Sequence, residues 1–203
     1  MTVIEVFADV SCPFTHVGLR QFVERRAALG REEVRLRVRA WPLEIVNGAA
    51  LDGEFIAEEV NEIRAGLKTD LFRGFTAQAL PSSSLPAMAL AAAAYDVSMN
   101  VGEAVSLELR DLLFEVGADI ADPTVLSELA DHNQVPFNLD DTSAAVADHA
   151  LGVERGVIGS PHFFTSTASF FCPALDVSRD SNGRLQVKPK PEVFAEFINA
   201  CFA

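Results

Sequence analysis

The chain has 203 residues, 49% of them hydrophobic, enough for one sizeable core or for a compact domain carrying an inserted second unit. Its 29 acidic against 16 basic residues give a formal charge of -13, which repels nucleic-acid backbones and anionic membrane surfaces and argues against both as partners. It has neither an apolar run of roughly eighteen residues nor a leader of basic, apolar and small-residue parts, so a soluble cytoplasmic protein is expected.

Val3-Ile4-Glu5-Val6-Phe7 is short, β-prone and almost wholly apolar, as a strand buried on both faces would be. From Pro13 to about Gly30, Phe14, Val17, Phe22 and Leu29 recur at helical spacing, with the glycine as a stop. Residues 34 to 41 then alternate, with Val34, Leu36, Val38 and Ala40 on one side and Arg35, Arg37, Arg39 and Trp41 on the other. A solvated or salt-bridged strand face explains the three arginines better than an anion site. The middle of the chain predicts helices over 53–66, 84–97, 101–116, 123–132 and 142–156, with Asp122-Pro123 as a helix start. In the third of these, Val101, Val105, Leu109, Leu112 and Val116 fall on one face that should pack inward. The alanine-rich stretch from Met88 to Tyr95 suits close helix packing.

After Gly159-Ser160-Pro161, the apolar runs His162–Phe164 and Phe170–Leu175 flank a small polar break and predict a β-hairpin. A last helix begins at Pro191, with Phe194, Phe197, Ile198 and Cys201 on one stripe. The order strand, helix, strand, helical block, hairpin and helix describes an α/β domain interrupted by a helical insertion, with residues 1–50 and 157–203 forming the domain and 51–156 the insertion.

Three cysteines, Cys12, Cys172 and Cys201, are too few and too widely spaced for a disulfide framework or a zinc site, and no histidine cluster has metal-ligand spacing. Cys12 lies between a buried strand and a helix whose first position is Pro13. The free amides and the positive end of that helix should lower the thiol's pKa, although position alone leaves a small buried cysteine equally open. Pro161 alone would be read as trans. His132 and His149 are isolated on predicted helices and are expected at the surface. His162 should start a strand, and Cys201 falls on an apolar stripe as a core residue.

The run Asp9-Val10-Ser11-Cys12-Pro13-Phe14-Thr15-His16-Val17-Gly18 resembles the active-site segment of the DsbA-like thioredoxin superfamily, in which Cys-Pro-x-Cys or a serine-containing variant opens the first helix. Trp41-Pro42-Leu43-Glu44 resembles the turn after the second strand, the run from Leu113 to Asp122 a part of the helical insertion, and Gly156-Val157-Ile158-Gly159-Ser160-Pro161 the cis-proline loop. The resemblance implies a thioredoxin-like fold with an inserted α-helical domain and a catalytic Cys12. It implies a cis Pro161, with the backbone of Ser160 exposed for pairing with a peptide or a thiol cofactor.

Thr15 stands where a dithiol enzyme carries its second cysteine, and its hydroxyl can donate to a Cys12 thiolate. Pro13, Phe14 and His16 complete the expected thiol- or substrate-binding set, with His16 steadying the thiolate or facing solvent. The expected activity is thiol–disulfide exchange through a single thiol on a small-molecule or protein disulfide. It has no permanently bound cofactor, and glutathione or another low-molecular-weight thiol is the expected reductant.

Two alternatives stand beside it. One is a thiol-dependent isomerase or transferase like 2-hydroxychromene-2-carboxylate isomerases and kappa-class glutathione transferases, which usually carry serine at the Cys12 position. The other is a non-redox binding protein. Related proteins are often dimers, so a homodimer is admitted. A hairpin turn centred near 167 and 168 would set Cys172 opposite Phe163, its α-carbon near 10 Å from that of Cys12 and beyond the roughly 7 Å a disulfide needs. The second thiol of the exchange is therefore expected from outside the chain.

Overall fold

In the computed structural model, which describes residues 2–203, the apolar N-terminal run forms β1 (Thr2–Ala8) at the centre of a four-stranded sheet. β2 (Val34–Ala40) pairs with it in parallel, Ile4 opposite Leu36 and Val6 opposite Val38. The parallel step is made through α1 (Pro13–Leu29), which ends on Gly30 in the left-handed conformation, φ 63°. On the other side of β1, β3 (His162–Phe164) runs antiparallel with Phe163 opposite Val6, and β4 (Ser169–Phe171) completes the order β2-β1-β3-β4. The C-terminal helix, α8 (Pro191–Phe202), covers this sheet. Its Phe197 packs among Phe22, Phe163 and Phe170.

Between β2 and β3 lies the helical block: α2 (Leu43–Asn47), α3 (Gly53–Leu67), α4 (Leu85–Val97), α5 (Met99–Asp111), α6 (Pro123–His132) and α7 (Ser143–Glu154). α2 was not anticipated; five residues are too few to show a period. Ala87, Ala89, Ala91 and Ala94 of α4 are buried, and α5 packs so close that a side chain at Gly102 would collide with the Tyr95 ring. Among the described residues no helix is long and apolar enough to cross a membrane.

β2 is the edge of the sheet, and its free backbone groups are satisfied by side chains from the helical block. Tyr95 Oη accepts from Val38 N and donates to Leu36 O, both at 2.9 Å. The Glu103 carboxylate accepts from Leu36 N at 2.9 Å, and Asp148 accepts from Ala40 N at 3.1 Å. Arg39 bridges Glu5 and Asp148, each at 2.7 Å, and Arg37 lies over the Tyr95 ring, so the arginine face is an ion-paired one.

Two features depart from the periodic reading. α5 does not run on to residue 116 as a regular helix: Leu112–Val116 is a π-helical turn. The wider turn rotates the residues beyond it, so Val105 and Leu109 are fully buried while Val116 is 67% exposed. The run Phe170–Leu175 is not one strand either. It breaks at Cys172, and Leu175 opens a second, two-stranded sheet, β5 (Leu175–Arg179) with β6 (Leu185–Pro189), which the sequence did not lead us to expect. α3 lies so close to this hairpin that a Cβ on Gly66 would strike the carbonyl oxygen of Val187.

Candidate active site

The end of β1 leads into Asp9, whose buried carboxylate organises the loop between β1 and α1. It accepts from Ser11 N and Leu43 N, each at 2.7 Å, and from the Ser84 hydroxyl at 3.3 Å. Glu44, two residues beyond Pro42, accepts from the amides of Ser84 and Leu85 and from the Ser83 hydroxyl, tying the start of α4 to the same loop. The guanidinium of Arg110, fully buried on α5, donates to Asp9 O at 3.2 Å and to Ser106 O at 2.6 Å. Burial pushes Arg110 down to about 10, so it stays a cation at neutral pH. Neither Asp9 nor Arg110 stood out as a site residue in the sequence: a lone buried acid and a lone helical arginine have no spacing that betrays them.

On this frame Cys12 is the N-cap of α1, with Pro13 as the first helical residue. Its thiol donates to Ser160 O at 3.4 Å. The Ser160 hydroxyl is 2.9 Å from that of Thr15 and accepts from Asp9 N at the same distance. The Ser160–Pro161 peptide bond is cis. Thus Cys12, Thr15 and Ser160 form one hydrogen-bonded cluster beside Pro161, and the Ser160 amide makes no hydrogen bond among the described residues.

The Cys12 thiol faces a cavity of about 300 Å³. Pro13 and Phe14 line it from α1, Leu43 and Asn47 from α2, Phe55, Ile56 and Glu59 from α3, and Phe171, Cys172 and Leu175 from the end of β4 and its continuation. Most of the wall is apolar. Glu59 is 9% exposed and has no hydrogen-bond or ion-pair partner among the described residues; burial raises it to about 7.

Burial also pushes the Cys12 thiol up. It outweighs the hydrogen bonds offered by Ser160 and Thr15, and the Glu59 carboxylate adds to the rise. This reverses the expectation from the helix terminus alone, which took no account of the walls that close over the sulfur. The cysteine rests as a neutral thiol, consistent with its S–H donating to a carbonyl.

His16 is turned away from the sulfur and does not line the cavity. It is 1% exposed, with Nε2 2.8 Å from Glu115 Oε1 and its ring against Phe72 and Phe114. Glu115, which also accepts from Phe72 N, is delivered inward by the π-helical turn, so His16 clamps α1 to the helical block. Of the other histidines, His162 accepts from Ile158 N, and His149 packs at a tilt against Trp41 rather than standing free at the surface. All three cysteines are free and buried, and among the described residues no group of His, Cys, Asp and Glu could hold a metal ion.

The arrangement of sheet and inserted helices has counterparts of known structure. A 2-hydroxychromene-2-carboxylate isomerase matches at 13% identity and a TM-score of 0.61, over 83% of this chain and 88% of that one. A Nitrosomonas europaea protein whose name, protein disulfide isomerase, is itself provisional matches at 14% and 0.64, over 98% and 96%. The cytosolic disulfide reductase DsbM of Pseudomonas aeruginosa, solved also with GSH, matches at 14% and 0.56, over 97% of each chain. At such identities these likenesses speak for the fold, a thioredoxin-like one with a helical insertion. No curated protein matches the sequence. The model of the DSBA-like thioredoxin domain matches residues 3–177, nearly the whole chain, and the protein therefore belongs to that family.

Proposed function

We propose that the protein catalyses thiol–disulfide exchange on a small disulfide, with Cys12 as the attacking thiol. The observation that supports this most is the placing of the Cys12 sulfur between Thr15 and Ser160 at the mouth of α1, open to a largely apolar cavity of about 300 Å³. That volume suits a low-molecular-weight disulfide better than one within a folded protein.

Deprotonated, Cys12 attacks one sulfur of the disulfide, forming a mixed disulfide and releasing the other half as a thiolate. The hydroxyls of Thr15 and Ser160 can both turn to donate to the Cys12 thiolate, which replaces part of the solvation lost on burial. The unpaired amide of Ser160 is available to the backbone of a peptide-like thiol such as glutathione. Thr15 cannot resolve the mixed disulfide, so a second thiol must. A reducing, cytosolic setting would keep Cys12 free and supply low-molecular-weight thiol.

The reading is tested by the rate at which a small glutathione mixed disulfide is reduced in the presence of added glutathione. Wild type should accelerate the reaction and Cys12→Ser should not. A second reading is favoured by the neutral, enclosed thiol and apolar walls: a site that positions a thiol cofactor for isomerisation or transfer. It predicts that the protein binds reduced glutathione, fails to accelerate disulfide reduction, and behaves alike with serine at position 12.

A further inference from the structure

The antiparallel register of β3 and β4 sets His162 opposite Phe171 and Phe163 opposite Phe170. One step beyond the last of these pairs, Cys172 N donates to Pro161 O at 2.9 Å, so Cys172 lies beside Pro161. Cys172 thus lies two residues further along the ladder than a turn at 167 and 168 would put it. This is roughly 7 Å nearer the end of the sheet where Cys12 lies. The two cysteines are held to consecutive carbonyls: the Cys12 thiol to Ser160 O at 3.4 Å, the Cys172 amide to Pro161 O. Both line the same cavity, and each is buried.

The backbone φ of Cys172, 42°, lies in the left-handed region, which a residue with a side chain adopts less readily than glycine. Such conformations persist where surrounding structure imposes them, and they gather at functional sites. A glycine would serve a mere turn better; here a thiol stands in the wall of the cavity that Cys12 also lines.

We propose that Cys172 is the resolving thiol of this protein, attacking a mixed disulfide on Cys12 to close an internal Cys12–Cys172 disulfide. This deepens the thiol-exchange reading and rests on it. In the first step Cys12 thiolate and R–S–S–R give Cys12–S–S–R and R–S⁻. In the second, the Cys172 sulfur attacks the Cys12 sulfur, the second R–S⁻ departs, and the proton of Cys172 passes to it. Two protein thiols are oxidised by two electrons and one small disulfide is reduced to two thiols. A low-molecular-weight thiol, used twice, restores the pair and becomes the disulfide.

A disulfide needs α-carbons within roughly 7 Å. Residues 172–174 lie outside strand pairing, between strands of two different sheets. Among the described residues they are tied only by Cys172 N to Pro161 O at one end and by Lys190 N to Ala174 O at the other, and the proposal assigns to this segment the shift that closes the bond. Burial pushes Cys172 up to about 12, and the reduced pair rests as two thiols.

The test treats the fully reduced chain with one equivalent of glutathione disulfide, quenches with acid, counts glutathione released, and maps non-reduced peptides by mass spectrometry. Wild type and Cys201→Ser should release both glutathione halves and yield a peptide joining Cys12 to Cys172 within one chain. Cys172→Ala and Cys172→Ser should release one half and stall with glutathione on Cys12 until more thiol is added. A stable Cys12 adduct in wild type, unchanged in the Cys172 variants, overturns the resolving role and leaves the exchange reading standing. No adduct on Cys12 even in Cys172→Ala overturns both.

Discussion

At the scale of single residues, the site turns on how burial and hydrogen bonding compete at one sulfur. Because burial holds the Cys12 thiol above its ordinary value, its alkylation by iodoacetamide should keep accelerating with pH past the usual cysteine range, with no plateau near neutrality. Thr15→Ala removes a donor worth about 1 kcal/mol and should slow alkylation at pH 7 by roughly fivefold, with the same limiting rate at high pH.

Glu59 acts in the opposite sense. Its carboxylate opposes the thiolate, so Glu59→Gln should raise the alkylation rate above pH 7 several-fold. It also has a stability signature. A carboxyl raised from its ordinary value to about 7 in the fold is ionised first in the unfolded chain, so native stability falls as pH rises from about 4.5 to 7. Glu59→Gln should therefore be more stable than wild type at pH 8, by on the order of 2–3 kcal/mol in urea unfolding, and no more stable at pH 4. An equal gain at both pH values would refute the ionised, buried carboxyl. Cys12 was visible in the sequence because its N-cap position next to a proline lies in a run, Asp9 to Gly18, that resembles an active-site segment; position alone left a buried core cysteine equally open. Asp9, Arg110 and Glu59 were not singled out, because their importance lies in what distant segments bring to them.

At the scale of elements, the strength of a local signal decided what could be read. α6 spans the expected residues because Asp122-Pro123 supplies both a cap, accepting from Thr124 N at 2.7 Å, and a first-turn proline. The alternation of β2 is equally plain, and its polar face is used by ion pairs. The π-helical turn at 112–116 has no signature in a hydrophobic period, since it breaks the period it sits in. The β5–β6 hairpin was missed because Asp176, Ser178 and Lys188 make it read as loop; its apolar residues Leu175, Leu185 and Val187 face the helical core instead of a sheet partner.

The capping of the β2 edge makes its own prediction. Glu103 accepts from Leu36 N and pairs with the buried Arg26 at 2.5 Å. Glu103→Ala leaves a strand amide unsatisfied and takes from the buried Arg26 its shortest ion pair, leaving it Val34 O and the more distant Glu32, and should cost about 2–4 kcal/mol in denaturant unfolding. A loss under about 1 kcal/mol would mean that water replaces the carboxylate there.

At the scale of the whole molecule, the cavity exists because separate parts of the chain meet: the start of α1, the short α2, the face of α3, and the break between β4 and β5. The general plan, a strand-helix-strand start, a helical block and a closing hairpin and helix, is legible because each piece has its own period or punctuation. How close α3 comes to β6 is a tertiary fact that Gly66 permits and no local pattern announces. Gly66→Val should force the two apart at a cost of about 1–3 kcal/mol. It should also speed amide exchange in 185–189 while leaving β1 and β2 protected, and uniform loss of protection would show that the hairpin is not a separate wall.

The most direct test of the central claim is where a small disulfide first becomes attached. Reduced protein should be mixed rapidly with glutathione disulfide, quenched in acid within the first turnover, and its three cysteines mapped by mass spectrometry. Glutathione should appear on Cys12 alone at the earliest times, at a rate that rises with pH. First attachment at Cys172 or Cys201, or none at any cysteine while the disulfide is consumed, would contradict that claim.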